Sequence, residues 1–314
     1  MRRESGWVAV LIASAVVMSL ADTGGFLPNQ WWYVPWGLSL VLFGLPHGAI
    51  DHEIVIRLWH PQPPPRWALP VTLAAYLLLS LIVLGGWFAA PALVFGGFIL
   101  LTTAHWGLAD LWWSWHRDPP ALALRLHRII FALWRGTLPM LMPLVVDPHF
   151  YRVVAESTCN LFTREPFDFG WLESDVTRQS ALATLVVLGT ADLAFSCRAL
   201  RRSVLNLVEG LGLVLFFSVL PAIASIGLYF AFWHGLRHIL RLRGMTRLTW
   251  LRFIGHATPA TIGAVVMLGL LAWRVPLSGP GEPLLGVYLA LIAALTVPHA
   301  LVVSWQDLRD GLWK

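Results

Sequence analysis

Histidine is the residue type with which this sequence is best equipped to perform chemistry. Six of its 11 histidines lie in or at the ends of long apolar segments: His47, His52, His105, His234, His238 and His299. Neutral imidazole nitrogens suit iron, zinc, copper or nickel, whereas magnesium and calcium prefer oxygen ligands. Because His234 and His238 are four residues apart, a helix would project both from one face, where they could chelate one ion. Hydrogen bonding across helices remains the alternative for an isolated histidine pair.

Carboxylates stand close to two of these histidines. Asp51 follows His47 by four residues, and Asp110 follows His105 by five. Each aspartate could orient a metal ligand by accepting its second N–H, or could instead cap a helix at the membrane interface. The other acids inside apolar segments, for which the pattern indicates no partner, are Asp192 and Glu209. Glycines that would allow close helix approach follow histidines at Gly48, Gly107 and Gly235.

The composition excludes most soluble classes of protein. Of the 314 residues, 57% are hydrophobic and only 12% are charged, and the mean hydropathy is +0.68. A soluble domain carries about 25% charged residues, and a disordered chain needs low hydrophobicity. No long basic run predicts binding to nucleic acid. The two cysteines are too few for a disulfide framework or a thiolate metal site.

We therefore predict an all-α fold, a polytopic integral membrane bundle of about ten transmembrane helices that forms one domain over residues 1–314. A bilayer core needs about 20 apolar residues per helix. The candidate spans are 5–21, 31–50, 67–89, 91–113, 122–146, 180–197, 204–220, 221–240, 251–273 and 284–305. The first could be a signal peptide, but an uncleaved anchor keeps the later charge pattern consistent. Pro221 predicts a tight reversal within the long run from 204 to 240.

Basic residues segregate strongly to one side of this arrangement. Seventeen of the 22 fall on the side that carries both termini, and Arg135 lies inside a span. The remaining four are Arg152, Arg164, Arg178 and Arg274. Because cytoplasmic loops carry the excess of positive charge, both termini are predicted to be cytoplasmic in a multi-pass protein of the cell (inner) membrane. The largest hydrophilic loop, roughly 147–179, is then external, as a short lid or a surface loop.

The same topology predicts a common depth for most of the intramembrane histidines. His47, His105, His234, His238 and His299 lie at most eight residues from the assigned cytoplasmic ends. With a rise of 1.5 Å per residue, they occupy a layer of roughly 12 Å. A shared depth is necessary for one metal site, although it is not sufficient. His60, His116, His127, His149 and His256 lie in loops, near span ends or at the interface, where no metal site is predicted.

Four motifs resemble the Brp/Blh family of bacterial and archaeal membrane β-carotene 15,15′-dioxygenases. They are "FGLPHGAIDHEI" at 43–54, "AHWGLADLWW" at 104–113, "FWHGLRHIL" at 232–240 and "VPHALVV" at 297–303. The resemblance runs from the second span to the last. It implies an iron(II) enzyme that uses O2 to split the central double bond of β-carotene into two molecules of all-trans retinal. Such retinal often supplies a microbial rhodopsin.

The resemblance also implies the metal ligands. It carries the family's iron ligands over to His47, His105, His234 and His238, and these are also the implied catalytic residues. His52 and His299 match recurring family positions that are not counted among the ligands. A polyene offers no acidic or electrophilic group, so the protein would hold the central bond beside the iron inside an apolar tunnel. Candidate walls of that tunnel are Trp106, Trp112, Trp113, Phe230, Phe232 and Trp233.

Two other classes of protein remain open at this point. A membrane di-iron desaturase or hydroxylase would need about eight histidines in several boxes, whereas His234 and His238 form a lone H-x3-H box. A haem-binding electron carrier or a transporter would be no enzyme at all. Haem would give a Soret band, and a transporter would usually show internal repeats, of which the sequence has no clear example.

Overall fold

The computed structural model describes residues 29–59, 62–117, 124–197, 200–274 and 282–312. All regular elements in these ranges are helical, as the sequence predicts. The predicted first span at 5–21 lies outside the described residues.

The described elements are α-helices joined by short π-helical and 3-10 segments. The α-helices are α1 (Tyr33–Ser39), α2 (Leu45–Gly48), α3 (Asp51–Leu58), α4 (Ala68–Ala89), α5 (Pro91–Arg117), α6 (Arg125–Val146), α7 (Pro148–Cys159), α8 (Asp175–Cys197), α9 (Leu200–Val219), α10 (Ala222–Leu228), α11 (Leu236–Thr246), α12 (Trp250–Arg274) and α13 (Glu282–Arg309). Two π-helical segments, π1 (Leu40–Gly44) and π2 (Tyr229–Gly235), connect α1 to α2 and α10 to α11.

Six of these helices are long and apolar enough to cross a membrane: α4, α5, α6, α8, α12 and α13. Each coincides with a predicted span. The predicted span 204–220 corresponds to the shorter apolar helix Val204–Val219. The segments 31–50 and 221–240 each contain a π-helical segment, and the helix breaks at Pro221, where the sequence predicts a tight reversal.

Two of the apolar helices expose most of their side chains. In α12 only 6% of the most apolar stretch is buried inside the protein, and in α4 the share is 11%. Leu251 and Leu78, for example, are exposed on α12 and α4. Apolar side chains that point away from the protein need a nonpolar solvent. These helices therefore have the surface of lipid-facing membrane spans.

The chain divides into two compact units by contacts between residues. The first comprises Met1–Leu40, Thr103–Tyr151 and Gly170–His234. The second comprises Val41–Thr102, Arg152–Phe169 and Gly235–Lys314.

In the first unit, α6 packs against α8, α9 and α10, and α10 packs against α1. The end of α5 crosses α6 at two glycines. A Cβ atom on Gly107 would lie 2.0 Å from the carbonyl oxygen of Ala132. A Cβ atom on Gly136 would lie 1.9 Å from the carbonyl oxygen of Thr103. Only glycine permits this backbone approach, so the role predicted for Gly107 is confirmed.

In the second unit, α13 packs against α4, α3 and α12. A buried apolar cluster joins α3, α11 and α12 through Ile50, Ile54, Ile239, Leu242 and Phe253. Ile239 directly follows His238 in the chain. The cluster thus fixes the helix that carries this histidine.

The segment 147–179 is more ordered than the predicted loop. Its first part is α7, which begins with Pro148 after the cap Asp147, whose carboxylate accepts the N–H of Phe150 at 2.9 Å. Within α7, Arg152 contacts Glu156 at 2.7 Å. The connection between the predicted spans thus contains a helix, which an Asp-Pro start favours, and its external location stays a prediction.

Candidate metal centre

A pair of histidine rings lies in the first unit. His105 on α5 and His234 on π2 are both buried, and their ring centroids are 5.0 Å apart. The planes of the two rings are inclined by 72°. The first unit thus brings together two predicted site residues that are distant in sequence.

Aromatic side chains surround this pair. Trp106 lies with its ring centroid 5.4 Å from that of His234, and Phe230 stacks against His234 at 6.1 Å. Trp106 also contacts Tyr229, which is almost completely buried. The sequence indicated Trp106 and Phe230 as candidate walls but missed Tyr229. In contrast, Phe232 is 38% exposed.

Three histidine rings lie together in the second unit. The ring of His47 on α2 is 5.5 Å from that of His238 on α11 and 4.7 Å from that of His299 on α13. The rings of His238 and His299 are 5.0 Å apart. All three side chains are buried, and their rings are nearly perpendicular, at 82° to 90°.

Three of these four ring separations fit imidazoles that share a metal ion. Metal–imidazole bonds of about 2.0–2.1 Å put a ring centroid roughly 3.2 Å from the ion. Two rings bound at angles of about 90–110° then have centroids roughly 4.5–5.2 Å apart. The first unit's pair lies at 5.0 Å, and the second unit's rings lie at 4.7 to 5.5 Å. The donor set inside each unit therefore suits a metal that accepts nitrogen ligands.

Hydrogen bonds orient two of the rings. His47 Nδ1 lies 3.2 Å from the carbonyl oxygen of Phe43, which can only accept, so the proton is on Nδ1 and the lone pair is on Nε2. His299 Nδ1 lies 2.8 Å from Asp51 Oδ2. The sequence placed Asp51 near His47 as an orienting group or a cap. The structure shows that its histidine partner is His299.

A tyrosine that the sequence pattern does not indicate holds this aspartate. Tyr76 on α4 has its hydroxyl 3.3 Å from Asp51 Oδ2 and 3.2 Å from the carbonyl oxygen of Leu295. A Cβ atom on Gly48 would lie 3.4 Å from His299 Nδ1, a contact that needs little or no adjustment. Glycine is therefore not required at position 48 in the way that it is at Gly107.

Asp110 takes part in a different buried network. Its two carboxylate oxygens accept the indole N–H of Trp233 at 2.9 and 3.1 Å, next to His234 in the chain. Arg135, which is completely buried, lies 3.9 Å from Asp110 and 3.7 Å from Glu209. A buried cation is stable only when such acceptors surround it. This network anchors the indole beside the first unit's histidine pair.

Two acids for which the sequence indicated no partner are paired in the first unit. Glu209 lies 2.7 Å from Arg117, and Asp192 lies 3.0 Å from His127. His127 is therefore buried inside the protein and not merely interfacial. Pairing explains how these ionisable residues are tolerated in apolar helices.

A third histidine group lies closer to the surface of the second unit. His52, Glu53 and His256 each offer an atom within 4.8 Å of the others, but none of them is buried. The contact of Glu53 with His256, at 2.8 Å, accounts for this group as a hydrogen-bonded pair.

Together, the helices and the histidines define the class: an apolar multi-helix protein with buried groups of imidazoles. Comparison with known proteins gives the family. The family model described as "Beta-carotene 15,15'-dioxygenase" matches residues 38–307, and the chain therefore belongs to this family of carotenoid-cleaving dioxygenases.

The chain is also similar to individual members. It is 35% identical to "Probable beta-carotene 15,15'-dioxygenase Blh" of Halobacterium salinarum, over 98% of this chain and 92% of that protein. It is 24% identical to "Probable beta-carotene 15,15'-dioxygenase Brp" of the same species, over 96% of this chain and 91% of that protein. It is 25% identical to "Beta-carotene 15,15'-dioxygenase" of an uncultured marine bacterium, over 85% of this chain and 92% of that protein. No solved structure matches the chain.

Proposed function

We propose that this protein cleaves the central 15,15′ double bond of β-carotene with O2 and releases two molecules of all-trans retinal. The observation that carries the proposal is the family match over residues 38–307. In this reaction the carbon–carbon double bond breaks and each of its two carbons gains one oxygen atom. The carbons are oxidised and O2 is reduced, so no further electron donor is needed.

The cofactor in this proposal is Fe(II), held by His47, His105, His234 and His238. All four are buried, and each lies within 5.0 to 5.5 Å of another histidine ring of its own unit. His234 and His238 also stand one helical turn apart. Iron would supply the activation of O2, a chemistry that no side chain provides.

The remaining tasks of the protein are to bind and position an apolar substrate. Trp106, Tyr229 and Phe230 present aromatic surface next to His234. Flat apolar side chains suit a polyene, and they exclude water from the reacting bond. An acid or base is not needed at the double bond. β-Carotene would enter from the bilayer, and the retinal could supply a microbial rhodopsin.

The test is expression of the full chain in a host that accumulates β-carotene. We expect the orange colour to fade in the presence of O2, and retinal to accumulate without shorter or longer apocarotenals. Central cleavage follows if the two bulky end rings fix the polyene with its middle bond at the iron. The measurement is the content of carotenoids and aldehydes in extracts, analysed by chromatography.

The His234→Ala variant serves as the control in the same host and should leave the pigment intact. Full retention of pigment by well-expressed, iron-loaded wild-type protein would contradict β-carotene as the substrate. A mixture of eccentric aldehydes would contradict central cleavage. Two irons per chain would favour the desaturase-like alternative.

We further propose one catalytic domain with ten spans in the cell (inner) membrane, both termini in the cytoplasm and the region 147–179 outside. The asymmetric distribution of basic residues supports this topology. A reporter fused after Lys314 should be cytoplasmic, and a tag inserted near Asp168 should be external. Detection of both on one side of the membrane would contradict the ten-span arrangement.

A further inference from the structure

His299 contacts the two histidines of its unit that we propose as iron ligands. Its ring centroid is 4.7 Å from that of His47 and 5.0 Å from that of His238. Both separations lie in the range expected for imidazoles on one ion, roughly 4.5–5.2 Å. The separation of the two proposed ligands themselves, 5.5 Å, fits this range less closely. The ring separations therefore place His299 in one group with His47 and His238.

The ligand atoms in this region also converge. His238, His299 and Asp51 each offer one nitrogen or oxygen atom, and these atoms lie within 4.8 Å of one another. All three side chains are buried. Polar groups that converge inside an apolar bundle are costly and indicate a functional site.

Asp51 Oδ2 lies 2.8 Å from His299 Nδ1. When His299 donates its Nδ1 proton to Asp51, the lone pair of the imidazole is on Nε2, the atom that can then bind a metal. Histidine ligands usually donate their second N–H to a carboxylate or a carbonyl in this way. His47 makes a similar contact, in which its Nδ1 donates to the carbonyl oxygen of Phe43. Tyr76 in turn contacts the Asp51 oxygen that accepts from His299.

We propose that His299 is a fifth histidine ligand of the iron, and that Asp51 and Tyr76 are positioning residues that act through it. This inference rests on the proposed function, because it concerns the same iron. It adds one ligand to the four that the family motifs imply. In the alternative, His299 only packs between its neighbours and leaves metal affinity unchanged when it is removed.

The test uses purified, metal-free full-length protein titrated anaerobically with Co(II), and with Fe(II) against a competing chelator. We expect His299→Ala to bind both ions more than about 100-fold more weakly and to change the visible ligand-field spectrum of Co(II). Asp51→Asn should bind both ions about 10- to 100-fold more weakly, which is the usual effect of removing a group that orients a ligand. Added imidazole should restore affinity and spectrum to His299→Ala, because it can occupy the vacated position. An unfolded variant would not be rescued.

The matched control is His256→Ala, the same change in the same unit at a partly exposed residue that contacts Glu53. It should keep wild-type affinity and spectrum. Wild-type behaviour of His299→Ala, together with loss of metal in His238→Ala, would overturn this inference alone. Wild-type metal binding by both His47→Ala and His238→Ala would instead overturn the iron site of the proposed function.

Discussion

Replacement of His105 by alanine should abolish iron binding and β-carotene cleavage together. The change removes one of the proposed ligands and leaves His234, 5.0 Å away, as the remaining proposed ligand in the first unit. Loss of a ligand should lower metal affinity and activity by more than the 10- to 100-fold that is typical when a residue hydrogen-bonded to a ligand is removed. We therefore expect iron content and retinal formation to fall by more than about 100-fold. Metal analysis of the purified variant and retinal quantification in the β-carotene host measure the two effects.

The matched control lies on the same helix. His116 on α5 is exposed, and its ring stacks on Trp112 at 4.0 Å. His116→Ala should keep normal iron content and turnover. Normal iron and turnover in His105→Ala itself would remove this histidine from the proposed ligands.

Replacement of Gly107 by alanine should prevent the first unit from packing. The new Cβ atom would lie 2.0 Å from the carbonyl oxygen of Ala132, a backbone atom that no change of side-chain rotamer can move. The two helices would have to separate, and overpacking of this kind costs about 3 kcal/mol or more. We expect a large loss of folded protein, measured by yield and by thermal unfolding in detergent. Because His105 stands two residues earlier, iron content should fall as well.

Gly97 provides the comparison on α5. A Cβ atom there would meet nothing within 4 Å. Gly97→Ala should therefore leave stability unchanged or raise it by about 0.5–1 kcal/mol, as expected for alanine at an open helical position. Equal stability of the Gly97→Ala and Gly107→Ala proteins would show that the close crossing of α5 and α6 does not determine the fold.

Hydropathy was sufficient to predict the six long apolar helices, because each is a continuous apolar run of about membrane length. Hydropathy could not predict the π-helical segments, because one extra residue in a helical turn hardly alters the composition or the length of an apolar run. The Asp-Pro start of α7 was visible in the sequence, but its polar composition favoured a loop.

For the candidate site, the sequence predicted which histidines lie at one depth but not which residues contact them. Depth along the spans grouped His299 with the other buried histidines, and the family motifs then set it apart from the ligands. Depth alone carries no information about rotation around a helix, and so it could not identify His299 as the partner of Asp51. The contacts of Asp51 with His299 and Tyr76 arise from three separate helices. Only the folded chain reveals them.

The two π-helical segments restrict which insertions and deletions the chain can accept. π1 ends three residues before His47, and π2 contains His234. Removal of one residue from π2 would convert its wide turn to ordinary α-helical geometry, and the side chains inside that turn would change direction. The deletion would leave hydropathy almost unaltered and yet redirect His234. We therefore expect the number of residues in these segments to matter as well as the identity of the histidines, because a gap placed there in a sequence alignment would shift the proposed ligands.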